Sequence, residues 1–343
     1  MKIKGMLRRI VCVFLFSLCA STFAVDEPSH VNEVKNETKN QAKVAPSQMR
    51  VGTYLTSLYD FNPNNNTFTA DLWLWFLHDK SQDLNPLKSL EITNARDFKT
   101  GLSSSQDQGA ERYDTVKIHG IFNYDWDVKN FPFDRHELKI RVEDGVADAS
   151  KVIYNPDSAN TAFDPAIKID GWHIDKIAIA TGNHNYNSSF GIGGATGSTY
   201  SNSIVSIFIQ RDAAGLFWKL LSAVYIAFLV SLVTFFMDTS KDGLFNGRIS
   251  VLIGMMFAVV INSQRVSSTI GQSVAFTLAD KIHVVTLISI LCSLIAALVS
   301  RHLMITNRAE YSVRLDRRLA GITFAIFVAI NAFMILTAAN AGA

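Results

Sequence analysis

Four long apolar segments follow Arg211 and leave this chain few ways to fold. They cover residues 213–237, 249–267, 282–304 and 319–338. Each can cross about 30 Å of hydrocarbon at about 1.5 Å per residue, so each reads as a membrane-spanning helix. The second is the least apolar. It carries Ser250, Asn262, Ser263, Gln264 and Arg265, so it should not face lipid on all sides. The 343 residues are 48% hydrophobic and only 18% charged, but these averages conceal a division. The apolar runs lie at the N-terminus and after Arg211, and the stretch between them is polar, aromatic and rich in turns. A net charge of +2 gives no pull toward nucleic acid.

The N-terminus reads as an address. Lys2, Lys4, Arg8 and Arg9 precede an apolar stretch from Ile10 to Ala20, and Thr22-Phe23-Ala24 follows. This pattern predicts a secretory signal peptide over residues 1–24, cleaved after Ala24. Residues 25–48 are polar and read as a disordered leader. Cleavage removes Cys12 and Cys19, so Cys292 remains and no internal disulfide is expected. Arg301, Arg308, Arg314, Arg317 and Arg318 outnumber Glu310 and Asp316 in the loop between the third and fourth spans. The positive-inside rule places that loop in the cytoplasm. Counting back, the start of the first span is outside, where a signal peptide would deliver residues 25–212. The C-terminus then also lies outside.

Residues 49–211 read as a periplasmic domain of short strands. Val51–Asp60 is followed by the turn Asn62-Pro63-Asn64-Asn65-Asn66 and then by Thr67–His78. Further strands are expected at Tyr113–Trp126, at His136–Glu143 with Leu138, Ile140 and Val142 alternating, and at Trp172–Thr181. Ile174, Ile177 and Ile179 alternate only imperfectly in the last of these. Asn183–Ser203 is rich in glycine, serine and asparagine and predicts a long mobile loop. Ser203–Arg211 returns as a strand with Ile204, Ile207 and Ile209. One short helix is expected near Leu84–Leu90. The fold class expected is an all-β sandwich, immunoglobulin-like, running into a four-helix transmembrane bundle over residues 212–343.

Phe131-Pro132-Phe133-Asp134 sits between Trp126-Asp127 and an alternating strand. It resembles the Phe-Pro-Phe-Asp core of a loop in pentameric ligand-gated ion channels, the Cys-loop receptor superfamily. The flanking positions are not cysteines, as in the bacterial branch of that family. The run Ala70-Asp71-Leu72-Trp73-Leu74-Trp75-Phe76 is similar to a strand of that branch, and Arg211 matches an arginine kept before its first span. Ala279-Asp280-Lys281 at the head of the third span is also family-like. The resemblance covers about residues 48–340. From the residues alone, the proline rigidifies a turn, the two phenylalanines give an apolar tip suited to a membrane interface, and Asp134 is placed to pair with a cation such as Arg211. An ordinary interstrand turn with a buried aspartate accounts for the same residues equally well.

The resemblance implies a homopentamer in the bacterial inner membrane, with a small-molecule agonist, permeant ions and membrane lipid as partners and no cofactor. On the second span, Ser250, Gly254, Phe257, Ile261 and Gln264 or Arg265 recur at a spacing of three or four and share one helical face. The family's matching face lines the pore. Phe257 and Ile261 would form apolar rings that gate by dewetting. The family implies cation selectivity, but Asn246-Gly247-Arg248 stands where many cation-selective members carry a glutamate, and Arg265 adds positive charge near the outer mouth. The family's agonist site lies between neighbouring sandwiches, behind the long loop. That makes Tyr186, Phe190 and Tyr200 candidates, with Phe98 and Tyr154 beyond the loop, since aromatic faces hold cationic amines. Asn64 in the 62–66 turn, Phe131–Asp134, Arg211 and the Ser267–Ala279 linker are the expected coupling parts.

Other readings remain. A membrane-anchored periplasmic sensor or binding protein would conduct nothing, but has no need of the polar stripe Ser250/Gln264/Arg265. His119, His136, His173, His184 and His283 could make protons a stimulus. Asp125, Asp127, Asp144 and Asp148 could offer carboxylates to calcium. No phosphate loop, zinc spacing or nucleophile elbow is present in the sequence, so an enzyme is not expected and no resident metal is predicted.

Overall fold

The computed structural model describes residues 45–191, 197–270 and 275–341. The expected signal peptide and most of the expected leader lie outside the described residues, as does part of the 267–279 linker.

A β-rich domain of two sheets comes first, and four apolar helices follow it. The first sheet orders β4(Ala95–Gln108), β5(Glu111–Asn123), β2(Thr67–Asp79), β1(Ser47–Asn62) and β7(Val152–Pro156), with β8(Ala162–Phe163) also on β1. The second orders β3(Leu90–Ile92), β6(Arg135–Asp144), β10(Ser198–Arg211) and β9(Trp172–Tyr186). A single helical turn, α1(Pro86–Ser89), is all that forms near Leu84–Leu90.

The core follows from the period of two along each strand. Leu72, Leu74 and Phe76 of β2 are buried, as are Leu138, Ile140 and Val142 of β6. On β10 the buried set is Val205, Ile207 and Ile209. Ile204 falls on the other face because it is out of phase with Ile207 and Ile209. The uneven spacing on β9 has a cause. A register shift between Phe208 and Ile209 of β10 pairs them with Lys176 and Ile174, so Asp175 is an extra residue. This bulge lets Ile174 and Ile177, three apart, both pack against the core. At Gly52 the backbone passes close under the Trp75 ring, where an added Cβ would lie 2.4 Å from ring carbons.

Three expectations are corrected. β9 extends to Tyr186 and β10 begins at Ser198, so both ends of the loop expected over 183–203 are strand. Its arms pair as Tyr200 opposite His184 and Ser198 opposite Tyr186. β4 was not expected as a strand. It is an edge strand whose side chains are nearly all exposed, so it carries no apolar alternation. The arginine-rich loop is only a short turn at 306–308, since Arg314, Arg317 and Arg318 lie in the first turns of the last helix.

The helices are α2(Ala213–Val233), α3(Asp242–Ile270), α4(Leu278–Ile305) and α5(Ala309–Asn340), each long and apolar enough to cross a membrane. That is the make-up of a multi-pass membrane protein. A 3₁₀ turn at Thr234–Phe236 extends α2. Thr277 caps α4 reciprocally. Its hydroxyl accepts from the Asp280 N–H at 3.2 Å, and the Asp280 carboxylate accepts from the Thr277 N–H at 2.9 Å.

Candidate functional site

The Phe131–Asp134 segment lies where strands meet helices. Asp134 is buried just before β6, and Arg211 closes β10. The Arg211 guanidinium forks onto it, Nε donating to Oδ1 at 2.7 Å and Nη2 to Oδ2 at 2.9 Å. The geometry is bidentate, the strong form of this pair. His136 Nε2 lies 2.9 Å from Oδ2, and its Nδ1 lies 3.3 Å from the Tyr124 hydroxyl. A neutral imidazole with its proton on Nε2 satisfies both contacts. Burial alone would push the Asp134 carboxyl up. Hydrogen bonds from His136 and Arg211 outweigh it and hold the group below the usual carboxylate range. The guanidinium also lies over the rings of Trp172, at 3.9 Å, and Phe131, at 5.0 Å.

The two phenylalanines therefore have different places. Phe131 is buried under Arg211 and does not form an apolar tip. Phe133 faces the helices, its ring 5.7 Å from that of Phe217 on α2. The Phe131–Pro132 peptide is cis. Just upstream, the Lys129 carbonyl accepts from the Leu278 N–H at 2.8 Å. That N–H belongs to the first turn of α4, where helix donors have no partner within the helix. One segment thus touches β10, α2 and α4. Asn64 is exposed at the tip of the neighbouring turn, whose Asn65 carbonyl accepts from Arg96 at 2.9 Å.

On α3 the six stripe residues Ser250, Gly254, Phe257, Ile261, Gln264 and Arg265 are all exposed. At about 100° per residue they occupy an arc of about 100°. Arg248, Leu252, Val259, Val266 and Ile270 are the buried residues of α3, and they occupy an arc of about 40° on the opposite side. Phe257 is 64% and Ile261 69% exposed, so the large apolar members of the stripe are left mostly uncovered by the rest of the chain. Asn262, off the stripe, is turned inward. Its Nδ2 donates to the Leu220 carbonyl at 2.9 Å and lies 3.0 Å from His283 Nε2. Part of the polarity of this span is thus used within the bundle.

The aromatic candidates divide. Tyr186, Phe190 and Tyr200 form one cluster, with ring centroids 5.2, 5.7 and 6.4 Å apart in edge-on pairs. Beneath it is Glu143, a residue the sequence reading missed as part of this site. Its carboxylate is buried, accepts from the Tyr186 hydroxyl at 2.8 Å and lies 2.6 Å from His184 Nδ1. Burial, and then the hydrogen bond to Glu143, push the Tyr186 phenol up. Tyr154 is instead a core residue, its ring 6.3 Å from that of Phe76. Phe98 sits on β4 opposite Gly120, in a different sheet from the cluster.

The four aspartates offered to calcium are not brought together. Asp125 and Asp127 precede β6, while Asp144 and Asp148 lie at or after its far end, about 30 Å along a ten-residue strand. Asp144 is instead occupied by Ser89 Oγ at 2.6 Å and by the N–H groups of Val146 and Ala147. The histidines offered as a proton stimulus are likewise dispersed, His119 against Asp71 and His173 against Asp212. No family model and no curated protein matches this chain.

Proposed function

We propose that the chain is one subunit of a ligand-gated ion channel, a homopentamer in which α3 lines a central pore. The observation that carries this reading is the stripe on α3. It is polar at both ends, apolar at Phe257 and Ile261, and exposed on the side of the helix away from its own subunit. A lipid-facing helix gains nothing from Ser250, Gln264 and Arg265 there. Five copies facing one axis would give those polar groups water and would make apolar rings able to close by dewetting.

The agonist site of this reading is the Glu143 cluster. A buried carboxylate under three aromatic rings suits an organic cation such as a primary amine. Binding would favour opening only through tighter binding to the open state. The Asp134–Arg211 junction, which touches β10, α2 and α4, is the route of coupling. Cation conduction is proposed with it, since Arg248 is buried away from the stripe.

The test is subunit counting by native mass spectrometry in lipid nanodiscs, paired with planar bilayer recording under a panel of small amines. Five subunits and amine-evoked current are expected. A monomer or dimer defeats the channel reading. A reversal potential that tracks chloride defeats the selectivity.

A further inference from the structure

Arg248 sits about 160° around α3 from Ser250. Its side chain is fully buried. Nη1 and Nη2 donate to the two carboxylate oxygens of Asp316 on α5, at 3.0 and 3.2 Å. Asp316 also accepts from Ser300 Oγ of α4 at 2.7 Å, and Ser300 Oγ lies 3.2 Å from the Thr239 hydroxyl between α2 and α3. The Phe235 ring covers the guanidinium at 5.0 Å. Counted along their helices at about 1.5 Å per residue, Arg248, Ser300 and Asp316 all lie about 8–11 Å from the same end of the bundle. One charge pair therefore gathers segments of the whole bundle at a single level.

A buried ion pair is poor evidence for stability, because apolar residues of similar volume often serve as well. What an apolar contact lacks is direction. A guanidinium forked onto a carboxylate holds only one orientation, whereas the apolar side chains of α3 could slide past their neighbours. The partner helix is informative too. α5 exposes Ile322, Phe324, Ile326, Phe333 and Leu336 along its length, the surface of a helix that meets lipid. Arg248 is also the only formal charge on α3 between Asp242 and Arg265. Turned the other way, five copies would ring the pore with positive charge.

We propose that the Arg248–Asp316 pair is a positioning tie, through which the lipid-facing helix α5 sets the rotation of α3 and keeps the charge of Arg248 off the ion path. The proposal rests on the channel reading of α3. Its test uses the full-length protein with Arg248→Gln, Asp316→Asn and the reversed pair Arg248→Asp/Asp316→Arg, at matched surface amounts of assembled protein. Each single change is expected to lower evoked current by about tenfold or more, and the reversed pair to recover most of it, as directly coupled residues do. The reversal potential should not move in Arg248→Gln. A reversed pair no better than the singles overturns the tie, and a shifted reversal potential in Arg248→Gln overturns the shielding.

If wild-type protein carries no current, the channel reading fails, and labelling then judges the tie by itself. A Ser250→Cys probe in a Cys292→Ala background reports the rotation of α3 through its rate of reaction with a water-soluble thiol reagent. A rate changed by Asp316→Asn and restored by the reversed pair supports the tie. Equal rates in all variants overturn it.

Discussion

Asp134→Asn removes one negative charge and almost no volume from the junction between sheet and helices. Asp134 receives three contacts from Arg211 and His136, at 2.7, 2.9 and 2.9 Å. An asparagine oxygen in the place of Oδ2 can keep two of them, from Arg211 Nη2 and His136, so one bond to a charged group is lost and an amide N–H₂ is set against Arg211 Nε. That loss comes to about 1.5–3 kcal/mol. A second route uses the ion pair itself. Breaking a buried pair from one side costs about 3–5 kcal/mol. The Arg211 side chain is 16% exposed and can recover some hydration, which favours the lower end of the second range, where it meets the first. About 3 kcal/mol is therefore expected, or a fall in Tm of roughly 6–12 °C at 2–4 °C per kcal/mol. Trp126 and Trp172 pack around His136, so intrinsic fluorescence during heating reports this region directly. Asp127→Asn is the internal control. It lies on the same segment, and its contact to Lys129 is exposed, worth less than about 1 kcal/mol. If Asp134→Asn lowers Tm no more than Asp127→Asn does, the junction is not held by this pair.

Four further outcomes are expected. The Tm advantage of wild type over Asp134→Asn should be constant from about pH 5 to 8 and should shrink as pH falls below about 4 toward the lowered folded value, because a carboxyl held below its unfolded value stabilises only while ionised; a gap that widens as pH falls below about 4 refutes this. Glu143→Gln should shift amine activation, or amine binding by calorimetry, to roughly 10–150-fold higher concentration, the loss of one charge-assisted contact of about 1.5–3 kcal/mol. Phe257→Ser should raise the current passed without agonist, since a hydroxyl ring lets water into the constriction, and unchanged silence at rest would remove Phe257 from the gate. Gly52→Val should destabilise by about 1–3 kcal/mol in thermal melts, because its Cβ would meet the Trp75 ring and push that indole off Asp157.

The helices were legible because about twenty apolar residues in a row have few other uses. Most strands were legible where one face is buried, as with Leu138, Ile140 and Val142. β4 was not, because an exposed edge strand shows no alternation to read. Asp134 and Arg211 could be paired in advance, since one stands in a marked loop and the other at the end of a strand. Glu143, His184 and Tyr186 could not. Pairing in the second sheet joins them across about forty residues, and sequence patterning is blind to register between distant strands. Arg248 and Asp316 were hidden for another reason. Each was read as a loop charge, and only the lengths of α3 and α5 place both inside helices at one level.

The hydrogen bond from Leu278 to Lys129 bears on how such chains can be recombined. By sequence the natural cut is between Arg211 and Asp212, where strand gives way to helix. A graft made there would carry Lys129 with one parent and Leu278 with the other, and likewise divide Phe133 from Phe217. A hybrid therefore has two seams to match that its breakpoint does not reveal. Both are repaired by taking residues 128–134 from the parent that supplies the helices, at the expense of a new boundary inside the β-domain.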